Sequence, residues 1–254
     1  MLFTCSDSPK AKTRGMLLHG MFLDASSFDE LTKLLGEDFG LLLVTFDGHH
    51  QKDYQPFVSL KKEVVQIEEY LLEQGIDELD FIVGTSLGAL AAFQLFQRKK
   101  IPVKHYFLDG GPFFQYRPFR IFLQECVFQT AGWAIRKGIL NHPGWVFGMA
   151  KKRLSLTFVQ SVARGGSCLT KSDIHHICHS IFNIEIQEPF QPKADQLIFI
   201  YGEREMAYQS FARFRQYEGL KLIVKKGYGH CGFIAKDPQP YAEIIHSFIE
   251  QKPK

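Results

Sequence analysis

The stretch Asp80-Phe81-Ile82-Val83-Gly84-Thr85-Ser86-Leu87-Gly88-Ala89-Leu90-Ala91-Ala92-Phe93 decides how the chain folds. Its opening residues form a short apolar run of strand character, and from Ala89 small and apolar residues follow at helical density. Between the two stands Gly-x-Ser-x-Gly, which places Ser86 on a sharp strand-to-helix turn. Glycine is required at 84 and 88 because a Cβ at either position would meet neighbouring backbone in so tight a bend. Ser86 then sits at a helix N-terminus, where unpaired N–H groups favour a developing negative charge. A glycine-rich turn that merely contains a serine is the plain alternative. The flanking strand and helix favour a nucleophile.

Outward from this turn, short apolar runs predict strands over 15–18, 41–46, 80–83, 103–108, 197–201 and 221–224. Helical spacing separates most of them, as in Leu60, Val64, Ile67 and Leu71 within 60–73. Strand alternating with helix predicts an α/β fold, a mostly parallel central sheet flanked by helices on both faces. Loops after such strands gather at one sheet edge, where ligands bind. The alternation breaks over 112–191, which is rich in Phe and Trp, punctuated by prolines and read as several helices. The division expected is a core of 1–111 and 192–254 with 112–191 inserted between two strands of one sheet.

A serine hydroxyl attacks only when a base takes its proton. Among ten histidines, His230 in Gly227-Tyr228-Gly229-His230-Cys231-Gly232 follows the final predicted strand and precedes the helix expected over 238–248. Its glycines let that loop fold back toward the strand ends. The base in turn needs an acid to fix its tautomer. Glu205, in Gly202-Glu203-Arg204-Glu205, is the first choice. Asp109, at the end of the preceding strand, and Glu203, which can instead pair with Arg204, remain open as alternatives. Two backbone donors are expected to hold an oxyanion, the N–H groups of Leu87 and of Met21 in His19-Gly20-Met21-Phe22. Taken alone, His19-Gly20 reads as an ordinary turn.

The motifs HGMFLDASSF from His19, FDGHH from Phe46, GTSLGALAAF from Gly84, LDGGP from Leu108, YGERE from Tyr201 and GYGHCGF from Gly227 follow one another in a set order. That order and spacing resembles the α/β-hydrolase superfamily across nearly the whole chain. The resemblance implies the α/β-hydrolase fold, with 112–191 standing as its helical cap. The superfamily spans esterases, lipases, thioesterases, peptidases, C–C hydrolases, lyases and binding proteins, so fold alone does not name a substrate. Three departures stand out. The family's N-terminal hairpin must shrink to one strand or vanish, the usual acid Asp becomes Glu205, and the usual Gly-His-Gly reads Gly48-His49-His50, whose second histidine is placed at the site rim. Leu90 stands where the superfamily's menaquinone-pathway lyases are expected to carry an arginine, which argues against that chemistry.

The expected activity is therefore cleavage of a small carboxylic ester or thioester through an acyl-enzyme on Ser86. A lyase or C–C hydrolase using the same three residues, or a binding protein that lost turnover, are the alternatives. No cofactor is expected. His175, His176 and His179 with Cys178 raise a metal site, but a solvated helix is the plainer reading and no metal is expected. Aromatic residues over 113–133 either line an apolar pocket or simply pack on the sheet. Nine Lys/Arg against four Asp/Glu give 112–191 a charge of +5. That raises an anionic substrate bound through Arg117, Arg120, Arg136 or Arg164, against the ordinary explanation of a solvated charged face.

Composition narrows the rest. The 254 residues are 45% apolar and 22% charged, which excludes a disordered chain. A net charge of +3 is too small to argue for a nucleic-acid partner. Five scattered cysteines without a CxxC pair suggest reduced thiols and a cytoplasmic protein. The first residues lack the apolar stretch of a cleaved leader. No run approaches the roughly 20 apolar residues of a membrane span, so no stable membrane association is expected.

Overall fold

The computed structural model describes residues 1–6, 12–138 and 155–250. Among these residues seven strands form one sheet: β1 (Leu2–Ser6), β2 (Thr13–Leu18), β3 (Phe39–Thr45), β4 (Leu79–Thr85), β5 (Val103–Asp109), β6 (Leu197–Gly202) and β7 (Leu220–Lys225). Their spatial order is β1-β3-β2-β4-β5-β6-β7. Only β1 runs antiparallel, pairing with β3, and every other neighbour is parallel. Among the described residues, the place of the family's N-terminal hairpin is taken by the single edge strand β1. The six strands read from apolar runs are present, with ends that differ by one or two residues.

Strand residues alternate between two apolar layers, as the period of two requires. Met16, Leu18, Ile82, Phe199 and Tyr201 enter the core on one face. Leu17, Phe81, Val83, Ile198 and Ile200 enter the core on the other. The first face is covered by α2 (Leu60–Glu73) and α3 (Leu87–Arg98). The second is covered by α1 (Asp29–Leu35) and the C-terminal helix Pro238–Ile249. Within α2 the residues Leu60, Val64, Ile67 and Leu71 are all buried, and the Ser59 hydroxyl caps its start by accepting from the Lys62 N–H at 3.2 Å.

Between β5 and β6 the described residues form α4 (Pro118–Arg136), α5 (Leu156–Cys168) and α6 (Lys171–Ile181). Residues 139–154 of this stretch, Pro143, Trp145 and Phe147 among them, lie outside the described residues. Close contacts tie the segment to the sheet. A Cβ at Gly165 would lie 2.3 Å from the Leu23 carbonyl oxygen, so α5 rests directly on the loop after β2. Buried Asp173 accepts from the Phe57 N–H at 2.8 Å and the Tyr54 hydroxyl at 2.6 Å while closing a capping box with Thr170.

The aromatic stretch over 113–133 divides three ways. Phe113 is core, packed against Phe93, Phe199 and Phe214. Phe119, Phe122 and Trp133 are exposed on α4. Phe114 and Phe128 line a cavity beside Ser86. Among the described residues no helix is long and apolar enough to cross a membrane.

Candidate active site

The sheet order reverses direction at β2, because β3 and β4, the two strands that follow it in the chain, lie on its opposite sides, and a crevice opens there at the carboxyl ends of the strands. In register, Leu18 pairs with Gly84 and Thr85 with Asp109, so the loops after β2, β4 and β5 emerge side by side. The turn after β4 is as tight as its sequence demands. A Cβ at Gly84 would lie 2.3 Å from the Gly88 carbonyl oxygen, and one at Gly88 would lie 2.0 Å from that of Leu18. Ser86 adopts φ 52° and ψ −107°, a conformation that costs a non-glycine residue of order 1–3 kcal/mol. Its N–H is anchored to the Asp109 carbonyl at 2.7 Å, which holds the strained residue in place.

His230 reaches this serine from the loop after β7. Its Nε2 lies 3.0 Å from Ser86 Oγ, and its Nδ1 lies 2.7 Å from Glu205 Oε2. A carboxylate oxygen only accepts, so Nδ1 carries the hydrogen and Nε2 presents its lone pair to the serine hydroxyl. The Glu205 side chain is buried, and its second oxygen accepts from the Gly202 N–H. The carboxylate is therefore fixed at both oxygens. His230 is half-exposed, which leaves it open to a ligand in the crevice.

The two alternative acids lie elsewhere. Glu203 is exposed and accepts from the Gly227 N–H at 3.1 Å. Asp109 is buried beside Glu205, Tyr241 and Cys231, and burial together with the Glu205 charge pushes its carboxyl well above the usual range. Among the described residues Glu205 is the one carboxylate within ion-pair distance of His230. Cys231 is buried with φ 48°, and burial raises its thiol well above the ordinary value, so it stays protonated.

Met21 and Leu87 line the same cavity as Ser86 and His230. Leu87 opens α3, where the first N–H groups have no partner within the helix. The loop bearing Met21 is pinned by His19, which is more than an ordinary turn residue. Its Nε2 accepts from the Phe46 N–H at 3.1 Å while Nδ1 donates to the Gly20 carbonyl at 2.8 Å. Gly20 lets that loop approach closely, since a Cβ there would lie 3.3 Å from Ser86 Cβ. His49 packs edge-on against His19 with ring centroids 4.9 Å apart. His50 is buried and faces a different cavity with Asp24 and Arg164, not the rim of this one.

Burial lowers His19 to about 3 and His49 to about 4, so both are neutral in the folded protein. Unfolded histidine titrates near 6.5, so between that value and about 4 the unfolded chain binds the protons and the folded one does not. Stability therefore falls as pH drops through this window. Replacing His49 with Phe removes one such group. Its unfolding free energy, followed by urea denaturation from pH 7 to 4, is expected to fall less steeply than wild type by up to about 1.4 kcal/mol per pH unit. Equal slopes would show that His49 is not the titrating group.

The cavity at Ser86 measures about 400 Å³ and is walled by Phe22, Pro112, Phe114, Tyr116, Phe128 and Phe182. Its ionisable lining groups include Arg204, Glu205 and His230. None of the four arginines read as anion-binding lines it. Arg164 pairs with Asp24 at 2.9 Å, Arg136 donates to the Leu169 carbonyl, and Arg120 stacks over Tyr116. Arg204 and Gln124 do line it, and the sequence reading missed both roles. The spacing of Gln124 and Phe128 along one face of α4 is the signal that was available. A larger depression of about 500 Å³, bordered by Lys99, Lys104 and Gln196, contains no serine, cysteine or histidine in its lining.

The model of the alpha/beta hydrolase family matches residues 16–244. The chain belongs to the alpha/beta hydrolase family. Solved structures agree on the fold. An enol-lactonase from Burkholderia xenovorans LB400 superposes with a TM-score of 0.73 at 12% identity, covering 98% of this chain and 96% of its own. A thermophilic esterase from Thermogutta terrifontis superposes with a TM-score of 0.68 at 12% identity, covering 98% and 92%. A hydrolase from Pseudomonas aeruginosa PA01 gives 0.76 at 13% identity, covering 98% and 94%. No curated protein matches the sequence. Family membership supports a hydrolase.

Proposed function

We propose that this member of the alpha/beta hydrolase family is a serine hydrolase that cleaves a small carboxylic ester or thioester. The observation that carries this reading is the continuous relay from Ser86 Oγ to His230 Nε2 at 3.0 Å and from His230 Nδ1 to Glu205 at 2.7 Å. His230 takes the hydroxyl proton as Ser86 attacks the carbonyl carbon, and Glu205 stabilises the imidazolium. The Leu87 and Met21 N–H groups receive the oxyanion. His230 then protonates the departing alcohol or thiol, and later activates water to release the acid.

The described part of 112–191 acts as a cap, because Phe114, Tyr116, Gln124, Phe128, Ile181 and Phe182 from it wall the cavity. Apolar and aromatic walls favour a short acyl or aromatic group, and a volume near the low end of the roughly 300–1,000 Å³ usual for ligand sites limits its size. Arg204 receives a polar or anionic end of the substrate. The five cysteines are all unpaired, with Cys5 and Cys126 exposed, which fits a reducing, cytoplasmic setting.

A fluorophosphonate probe read by intact mass tests the reading. One adduct is expected on the wild type and none on Ser86→Ala, with hydrolysis of short acyl and aromatic esters by the labelled population lost in proportion. A folded wild-type protein that takes up no adduct would sink the proposal.

A further inference from the structure

Outside the active-site cavity, α4 and α6 bring Glu125, His175 and His179 together at the surface. His175 and His179 are four residues apart on α6 and so share one face, with ring centroids 4.4 Å apart. Glu125 enters from α4, its oxygens 3.0 and 3.1 Å from His175 Nδ1 and 3.9 Å from His179 Nε2. One donor atom from each residue lies within 4.8 Å of the other two. Both histidines are about half-exposed, which leaves room for a water ligand.

We infer that Glu125, His175 and His179 form a binding site for a zinc-like divalent transition-metal ion that staples α4 to α6. Zinc bonds of 2.0–2.2 Å in tetrahedral geometry place donors about 3.4 Å apart. Two of the three separations already straddle that value, so rotamer adjustments alone complete the set. Two imidazoles and one carboxylate suit Zn²⁺, and also Ni²⁺ and Cu²⁺, in preference to Mg²⁺ or Ca²⁺, which favour oxygen ligands. On binding, His175 gives up its Nδ1 hydrogen and takes one at Nε2 from solvent, freeing the Nδ1 lone pair for the metal. Neighbouring groups serve other ends. His176 donates to the Phe57 carbonyl, and the Cys178 thiol is buried.

The staple acts on a functional wall. Gln124 adjoins Glu125 and Phe128 lies one turn on, while α6 leads into Ile181 and Phe182, and all four line the cavity. Metal binding would fix the relative position of the two helices that frame the cavity's outer side.

Titrating ZnCl₂ into the metal-free chain by calorimetry, with melting temperatures recorded with and without Zn²⁺, tests the site. The comparison set is Glu125→Gln, His175→Ala and His179→Ala. One Zn²⁺ per chain is expected, with a rise in Tm that EDTA reverses. Each variant should keep the metal-free Tm yet bind at least about tenfold more weakly, as loss of a supporting group alone costs 10–100-fold. Affinity unchanged in all three variants would place the ion elsewhere and overturn the inference, as would no binding at millimolar Zn²⁺.

Discussion

Ser86→Ala lowers kcat for a chromogenic ester by about 10⁶-fold on the proposed mechanism, the scale seen when a serine nucleophile is removed. Stability should stay within about 0.5 kcal/mol of wild type, because alanine meets the same backbone strain at φ 52° and loses one half-exposed hydrogen bond. Stopped-flow turnover and a urea melt on the same preparation separate the two effects. The backbone donors at Met21 and Leu87 remain in the variant, so a residual rate of roughly 10³–10⁴ over water would survive. A variant retaining a tenth of wild-type activity would assign the chemistry to another group.

Glu205→Gln is expected to lower kcat by about 10⁴-fold, although it removes no reacting atom. Glutamine fills the same volume and its carbonyl can still accept from the Gly202 N–H. What it cannot do is hold the hydrogen on His230 Nδ1 once its own amide faces that nitrogen. The imidazole then carries hydrogen on Nε2 and has no lone pair for Ser86. Asp109→Asn and Glu203→Gln serve as controls, since neither carboxylate reaches His230, and each should stay within about tenfold of wild type. If Asp109→Asn were the more damaging change, Asp109 would be the orienting acid.

Much of this was legible in the amino-acid order because the decisive constraints are local. Gly84 and Gly88 report a turn in which any Cβ would collide with backbone, and that condition is visible without knowing the partners. Chain order likewise separates Ser86, Glu205 and His230 into loops that a parallel sheet must deliver to one edge. The strand β1 was harder to read, because Leu2–Ser6 is short, partly exposed and defined by its pairing with β3. Cavity walls are harder still. Arg204 looked like a partner for Glu203, and only the turn after β6 directs the latter to Gly227 and the former to the crevice. His50 departs from the expected site rim for a similar reason. Its side chain bonds to the Lys52 carbonyl at 2.7 Å, a loop contact with no periodic signature.

Ser86 and His230 stand 144 positions apart, and Glu205 lies beyond the long insertion as well. During synthesis the strained turn at Ser86 therefore leaves the ribosome well before the residues proposed to activate it. Contacts between such distant segments carry a large loop-closure cost and form late. On the proposed mechanism, a nascent or partly folded chain holds its serine without a base, and so would be silent toward esters around it. On that mechanism chemistry would begin only when the last two strands have joined the sheet, which would make turnover a reporter of complete folding.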